Sequence, residues 1–292
     1  MAYAFDGCLY NRNDKVTLMK CDLHIHTNYS DGKYPPSKVV KFALDAGVTH
    51  IAITDHDTVC GVREATEYGS QYGVEVIPGI EFSAIFEGRD VHILGYFIDY
   101  TSERVKNYLA KLKNQRESRA KKIVDKLNEM GYGINFARVK EIAQHGAIGR
   151  PHIAAALYEK GYIATKEEAF YGLIGNDDPA YIPKYEVSVP NAIRFLKENG
   201  AVVVLAHPGL IGDRDMVLRI LEFDFDGIEV YHPRHSQSDT EFYKELADKK
   251  DLIITGGSDF HWFTQDVKIG IIEYECKSTI EKLYKRRRDN VK

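Results

Sequence analysis

Short runs rich in β-branched residues alternate with amphipathic stretches along most of the chain, and this rhythm constrains the fold more than any single residue does. The runs are "CDLHIH", "THIAIT" and "VEVIPGIEF" in the first third, then "AVVVLAHPG", "GIEVYHP", "LIITGGSD" and "KIGIIEY" in the last third. Stretches with helical periodicity, such as "PPSKVVKFALDAG", "VREATEYGSQYG" and "SQSDTEFYKELADKK", fall between them. Strands that alternate with helices pair in parallel, and roughly seven or eight such units predict a closed α/β barrel. Pro35 and Pro36 open the first helix and Gly47 ends it, as helix-boundary chemistry requires. The segment "EFSAIFEGRDVHILGYF" reads as a hairpin turning near Glu87, Gly88 and Arg89.

Residues 101–200 break the rhythm. "TSERVKNYLAKLKNQRESRAKKIVDKLNEMG", "GRPHIAAALYEKG" and "PNAIRFLKENG" are helical, with one short extended piece, "AYIPKY", between the last two. The expected organisation is a barrel from 1–100 and 201–292, with 101–200 as an all-helical insertion capping its active face. At 44 % hydrophobic residues the chain can bury a sizeable core. No stretch approaches the roughly 18 uninterrupted apolar residues of a membrane helix, and "MAYAFDGCLYNRNDK" has neither the basic start nor the apolar run of a signal peptide. A cytoplasmic location is therefore expected. Cys8, Cys21, Cys60 and Cys276 form no CxxC and are expected to be reduced thiols. The net charge of −4 does not advertise a polyanion-binding surface, and the basic run "KRRR" at 285–288 reads as a solvated helix end.

In an α/β barrel the C-terminal ends of the strands converge on one face, so residues distant in sequence meet there. Those ends carry His24 and His26; Asp55, His56 and Asp57; Glu81; His207; His232 and His235; Asp259 and His261. His92 begins its strand, and the hairpin would fold it back toward the segment after Glu81. Each histidine alone is most simply a hydrogen-bonded structural group, but most of the 11 histidines fall at these ends. Residues i and i+2 of a strand point the same way, so the HxH pair aims two imidazoles at one ion. Imidazole with carboxylate suits Mn²⁺, Fe²⁺ or Zn²⁺. The candidates exceed what one ion can use, which implies more than one metal, with Glu81 placed to bridge. His50, at the opposite end of the barrel, and His145, on an insertion helix, are expected to be structural.

"DLHIHTNYSDG", "ITDHDT", "IPGIEFS", "HILGYF", "LAHPG" and "GSDFH" resemble, in order, the motifs of the PHP family, named for polymerases and histidinol phosphatases. The resemblance implies a distorted (β/α)7 TIM-like barrel and a site with two to three divalent ions. Carried over by position, the implied ligands are His24, His26, Asp31, His56, Glu81, His92, His207, Asp259 and His261. Asp55 and Asp57 are expected to orient His56. Some members carry His where this chain has Asp31. The insertion with "GRPHIA" and the later "YIP" resembles a branch acting on nucleoside 3′,5′-bisphosphates, some members of which trim RNA from its 5′ end.

Phosphate ester hydrolysis also needs groups that position the substrate. Arg150 is the candidate phosphate clamp, because a guanidinium grips two phosphate oxygens at once. His152 and Lys184 are further substrate-binding candidates from the insertion. His232 could protonate the leaving oxygen or contact a phosphate. Three rival readings are open. An amidohydrolase-type C–N hydrolase shares HxH, His207, His232 and Asp259 but wants a fourth-strand lysine that "HILGYFID" lacks. Histidinol phosphate or another small monophosphate is a second possible substrate. A non-catalytic PHP module is the third, and the full set of motif residues argues against it.

Overall fold

The computed structural model describes residues 19–143, 148–176, 178–183, 187–261 and 267–290. Seven strands form one sheet in the order of the chain: β1 (Cys21–Ile25), β2 (His50–Ile53), β3 (Glu75–Phe86), β4 (Arg89–Tyr96), β5 (Val202–Leu205), β6 (Gly227–Tyr231) and β7 (Ile253–Gly256). β4 runs antiparallel to both β3 and β5, and the remaining pairs are parallel. A parallel bridge from Ile25 to Phe260 brings the end of β7 back to β1, so the sheet is nearly a closed barrel. Among the described residues "KIGIIEY" forms no strand, contrary to the pattern of its letters. With β7 turned onto β1 there is no sheet edge left for it. Its Gly270 instead donates a backbone N–H to Asp22 at 2.8 Å.

The helices α1 (Pro36–Asp45), α2 (Val62–Tyr72), α6 (Val189–Glu198), α7 (Arg214–Ile220) and α8 (Gln237–Lys250) pack around the strands, with α9 (Cys276–Asn290) following β7. Strand alternation divides the apolar residues into two layers. Val203 and Leu205 of β5 face the outer helices, while Val202 and Val204 fill the barrel interior with Leu23, Ala52, Ile77 and Leu94. Cys276, Ile280 and Leu283 of α9 join that interior cluster and close the barrel floor.

The insertion contributes α3 (Glu103–Glu129), α4 (Phe136–Ala143) and α5 (Arg150–Glu159). Its own core spans Ala120 to Ala180 and includes Leu127, Val139, Ile153 and Leu157. The first turns of α3 (Val105, Leu109, Leu112) and all of α6 bury their apolar faces in the barrel's outer layer instead. No helix among the described residues is long and apolar enough to cross a membrane.

Candidate metal centre

The strand ends converge as barrel geometry requires, with two local devices aiming the side chains. Strict alternation would put Leu23 and Ile25 on one face, yet Leu23 lies in the interior cluster and Ile25 in the outer layer. The register of β1 against β2 shifts between Asp22 and Ile25, and this irregularity turns His24 and His26 into the barrel mouth. The other device is Gly257, where a Cβ would fall 2.4 Å from the backbone nitrogen of His24; only glycine lets the end of β7 approach β1 so closely. Asp57, His207 and Asp259 hold positive φ angles of 48°, 24° and 51°, so the backbone is strained where these chemical groups are displayed.

Glu81 is the centre of the cluster. Its fully buried carboxylate lies 3.3 Å from His24, 3.1 Å from His26, 3.0 Å from His56, 2.8 Å from His92 and 2.9 Å from His207. The antiparallel hairpin sets His92 opposite Ser83, which brings this early-strand histidine to the active face. Asp259 Oδ1 lies 3.4 Å from His24 Nε2 and 3.2 Å from His26 Nε2, and Asp31 Oδ1 lies 3.1 Å from His261 Nε2. Three groups have ligand atoms all within 4.8 Å of one another: His26, Asp31, His56 and His261; His24, His26, Glu81 and Asp259; His56, Glu81 and His92. His207 falls outside those groups but bonds Glu81 directly.

The donor set fits divalent cations. His24 Nε2, His26 Nε2, Asp31 Oδ1, His56 Nδ1, Glu81 Oε2 and His92 Nδ1 are buried without a hydrogen-bond partner, although they lie close together. Buried polar atoms normally find partners, and atoms that converge without bonding one another are aimed at shared points in space. Groups behind the cluster set its tautomers. His24 Nδ1 donates to Glu229 at 3.0 Å, which turns the Nε2 lone pair inward; Glu229 also accepts the backbone N–H of His207 at 2.8 Å. His261 Nδ1 donates to the Asp259 carbonyl at 2.8 Å with the same effect.

The titration behaviour reflects this crowding. Burial pushes Glu81 up, but the imidazoles gathered around it, the strongly raised His24 among them, outweigh it and hold the carboxyl well below its usual range. Burial lowers His26, but the adjacent carboxylates of Asp259 and Glu81 outweigh it and raise the imidazole to about 10. Burial dominates at His56, which falls to about 3 and stays neutral.

Asp55 and Asp57 do not orient His56. Asp55 accepts from the Thr27 backbone N–H at 2.7 Å and from the Thr27 and Ser30 hydroxyls, which fixes the loop after β1. Asp57 accepts the Ser83 N–H at 2.8 Å and pairs with Arg116 of α3. His232 is buried behind Asp259: its Nδ1 accepts the Arg234 N–H at 3.2 Å, and its Nε2 faces Asp259 Oδ2 at 3.4 Å. His235 is bonded to the Val230 carbonyl and the Gly209 N–H, and His50 to Thr49 and Glu75. Lys184 and His145 lie outside the described residues.

Beside the cluster, Asp31, His56 and His92 share a cleft of about 250 Å³ with Arg116, Arg119, Arg150 and His152. Arg150 donates to the Ile174 carbonyl at 3.2 Å and to Asn176 at 3.1 Å, and lies 3.7 Å from Asp90. Arg119 is lowered by burial and by the like charges of Arg150 and Arg116. Three guanidiniums crowded in this way are relieved by an anion. Sequence reasoning missed Arg116, Arg119 and Glu229. The first two belong to a helix crowded with charges; Glu229 is a carboxylate inside an otherwise apolar strand, "GIEVY", and that anomaly was its signal.

A barrel mouth that pools imidazoles and carboxylates, beside a cleft of guanidiniums, belongs to a metal-dependent hydrolase of anionic esters. The PHP domain model matches residues 22–255, and the chain belongs to that family and is a metal-dependent phosphoesterase. A phosphoribosyl 1,2-cyclic phosphate 1,2-diphosphodiesterase of Eggerthella lenta is 34 % identical over 249 residues, 82 % of this chain and 93 % of the relative. A 5′-3′ exoribonuclease of Haemophilus influenzae is 32 % identical, covering 86 % and 93 %. A 3′,5′-nucleoside bisphosphate phosphatase of Chromobacterium violaceum is 28 % identical, covering 84 % and 88 %. Among solved structures, a Bifidobacterium adolescentis protein assigned to the metal-dependent phosphoesterases superposes with a TM-score of 0.82 at 31 % identity, covering 92 % of this chain and 96 % of that one.

Proposed function

We propose that the enzyme hydrolyses phosphate esters of small nucleotides, releasing the 3′-phosphate of a nucleoside 3′,5′-bisphosphate, with short 5′-phosphorylated RNA as a second substrate class. The observation that carries this reading is the three-guanidinium cleft opening onto the Glu81 cluster. One phosphate is held by arginine while another is presented to the metal side, as a ribose with two phosphoryl groups requires. The three relatives are named for ribose phosphates or RNA.

In this reading His24, His26, Asp31, His56, Glu81, His92, His207, Asp259 and His261 hold two to three divalent ions. Such ions supply Lewis acidity toward phosphoryl oxygens and toward water. The chain's own groups do the rest. Arg116, Arg119 and Arg150 bind the remote phosphate, and the insertion that carries them caps the cleft. His152 accepts the Gly149 N–H on Nδ1 at 3.0 Å, leaving Nε2 as a neutral donor, and burial lowers its pKa in keeping with that role. His232 serves as a positioning group that holds Asp259, since its side chain is only 1 % exposed.

The test is a side-by-side kinetic assay with Mn²⁺ of a nucleoside 3′,5′-bisphosphate, histidinol phosphate, 5′-phosphorylated trinucleotide RNA and a dipeptide. The bisphosphate is expected to have the highest kcat/KM. Fast turnover of histidinol phosphate with none of the nucleotides would overturn the reading.

A further inference from the structure

We infer that Asp57 is a positioning residue for substrate recognition, holding Arg116 in the orientation that receives the remote phosphate. The inference rests on the phosphate-binding reading given above and assigns a task to a motif residue that neither joins the metal cluster nor touches His56.

The geometry is specific. Asp57 sits just past the end of β2 with a positive φ, and its carboxylate is fixed from one side by the Ser83 backbone N–H at 2.8 Å. Its other oxygen pairs with Arg116 Nη2, which also donates to the Ser83 hydroxyl at 2.7 Å. The Asp57 side chain is 3 % exposed and that of Arg116 is 20 % exposed. A guanidinium carries five N–H donors in a rigid plane, and both bonds use Nη2. Nη1 and Nε therefore remain for a ligand; because both two-donor edges of a guanidinium include Nη2, they offer a phosphate single N–H bonds and the positive charge of a plane whose orientation is fixed at Nη2. Arg116 lines the cleft shared with Asp31, His56 and His92, so its side chain borders the site.

A second acidic residue provides an internal comparison. Asp90 of β4 approaches Arg150 only to 3.7 Å, and its side chain is 41 % exposed. Arg150 is held instead by Ile174 and Asn176 of its own insertion. Arg116 depends on the barrel for its orientation; Arg150 does not.

The experiment uses the full-length, Mn²⁺-loaded enzyme with Asp57→Asn, Arg116→Gln, the double variant and Asp90→Asn. Asp57→Asn is expected to raise KM for the nucleoside 3′,5′-bisphosphate about tenfold while kcat changes less than about twofold. KM for p-nitrophenyl phosphate, which has no second phosphate, should move less than about twofold. The double variant should cost about as much as either single substitution, not their product, because the two groups act as one unit. Asp90→Asn should shift KM less than about threefold. Bound Mn²⁺ measured by mass spectrometry should equal the wild-type content. Equal losses on both substrates, additive effects of Asp57→Asn and Arg116→Gln, or loss of Mn²⁺ in Asp57→Asn would each overturn the inference. Wild-type turnover of the bisphosphate with an unmoved KM in Asp57→Asn overturns the inference alone. A wild-type enzyme inactive on the bisphosphate overturns the functional reading, and the inference falls with it.

Discussion

The barrel mouth and the helical insertion handle opposite charges by opposite means. In the mouth, Glu81 gathers five imidazoles and leaves atoms such as His26 Nε2 and His92 Nδ1 buried without partners. In the insertion, the guanidiniums of Arg119 and Arg150 are bonded to main-chain carbonyls of Ile182 and Ile174, so they are placed before any ligand arrives. The first region has the donors that could hold cations, and in the reading proposed above the second meets an anion. The difference teaches a division of labour: changes at the strand ends should act on metal content and kcat, and changes in the insertion on KM.

The hardest attempt to break that division is Asp259→Ala. Removing a carboxylate that faces both His24 and His26 should strip metal and lower kcat by about 10³-fold, equivalent to the several kcal/mol a catalytic ion contributes. Metal analysis and single-turnover kinetics check it, and a metal-free sample that still hydrolyses substrate would sink the metal chemistry. Glu229→Gln acts one step back. It removes the charge that fixes the His24 tautomer and should weaken metal affinity about 10- to 100-fold, read by competition with a chelating dye. Arg150→Ala probes the other region. Loss of a charged hydrogen-bonding group costs about 1.5–3 kcal/mol, so KM should rise roughly tenfold or more with bound metal unchanged. A drop in metal content in that variant would abolish the proposed division.

The two regions also differed in how far the letters revealed them. Strand ends converge by geometry, so "HIH", "TDHD", "PGIE" and "GSDFH" are legible from the letters alone as contributions to one place. His92 was reachable because the turn at Glu87 and Gly88, both at positive φ, is written in the sequence. Helices offer no equivalent rule. Arg116 and Arg119 sit in "KNQRESRAKK", where six of ten residues are charged, and only the packing of α3 over β3 distinguishes them. Asp57 was misassigned because proximity in sequence suggested His56 as its partner, whereas the positive φ at Asp57 turns its carboxylate toward Ser83 and Arg116. "KIGIIEY" has the composition of a strand, and barrel closure by Ile25 and Phe260 denies it an edge.

Acid separates the site from the scaffold, and this gives the smallest and cleanest of the expected effects. In the metal-free protein His26 is raised to about 10 and His24, His207 and His261 are raised as well, so these imidazoles hold protons to higher pH than a free imidazole does. Divalent ions must displace those protons, so metal uptake should release protons and weaken as pH falls from neutrality. Calorimetry in two buffers of different ionisation enthalpy measures the proton count. The surface pair of Asp239 on α8 with Arg214 on α7 responds later. Asp239 is lowered to about 2 by the Ser236 hydroxyl and by Arg214, so its contribution is present above the ordinary 3.8 and is lost as pH falls toward 2. The group is largely solvent-screened, and Asp239→Asn should lower Tm by only about 1–3 °C at pH 7 and by nothing measurable at pH 2. Activity should therefore disappear on acidification before thermal stability registers the loss of Asp239. If the two declined together, the site would be coupled to the scaffold rather than carried on it.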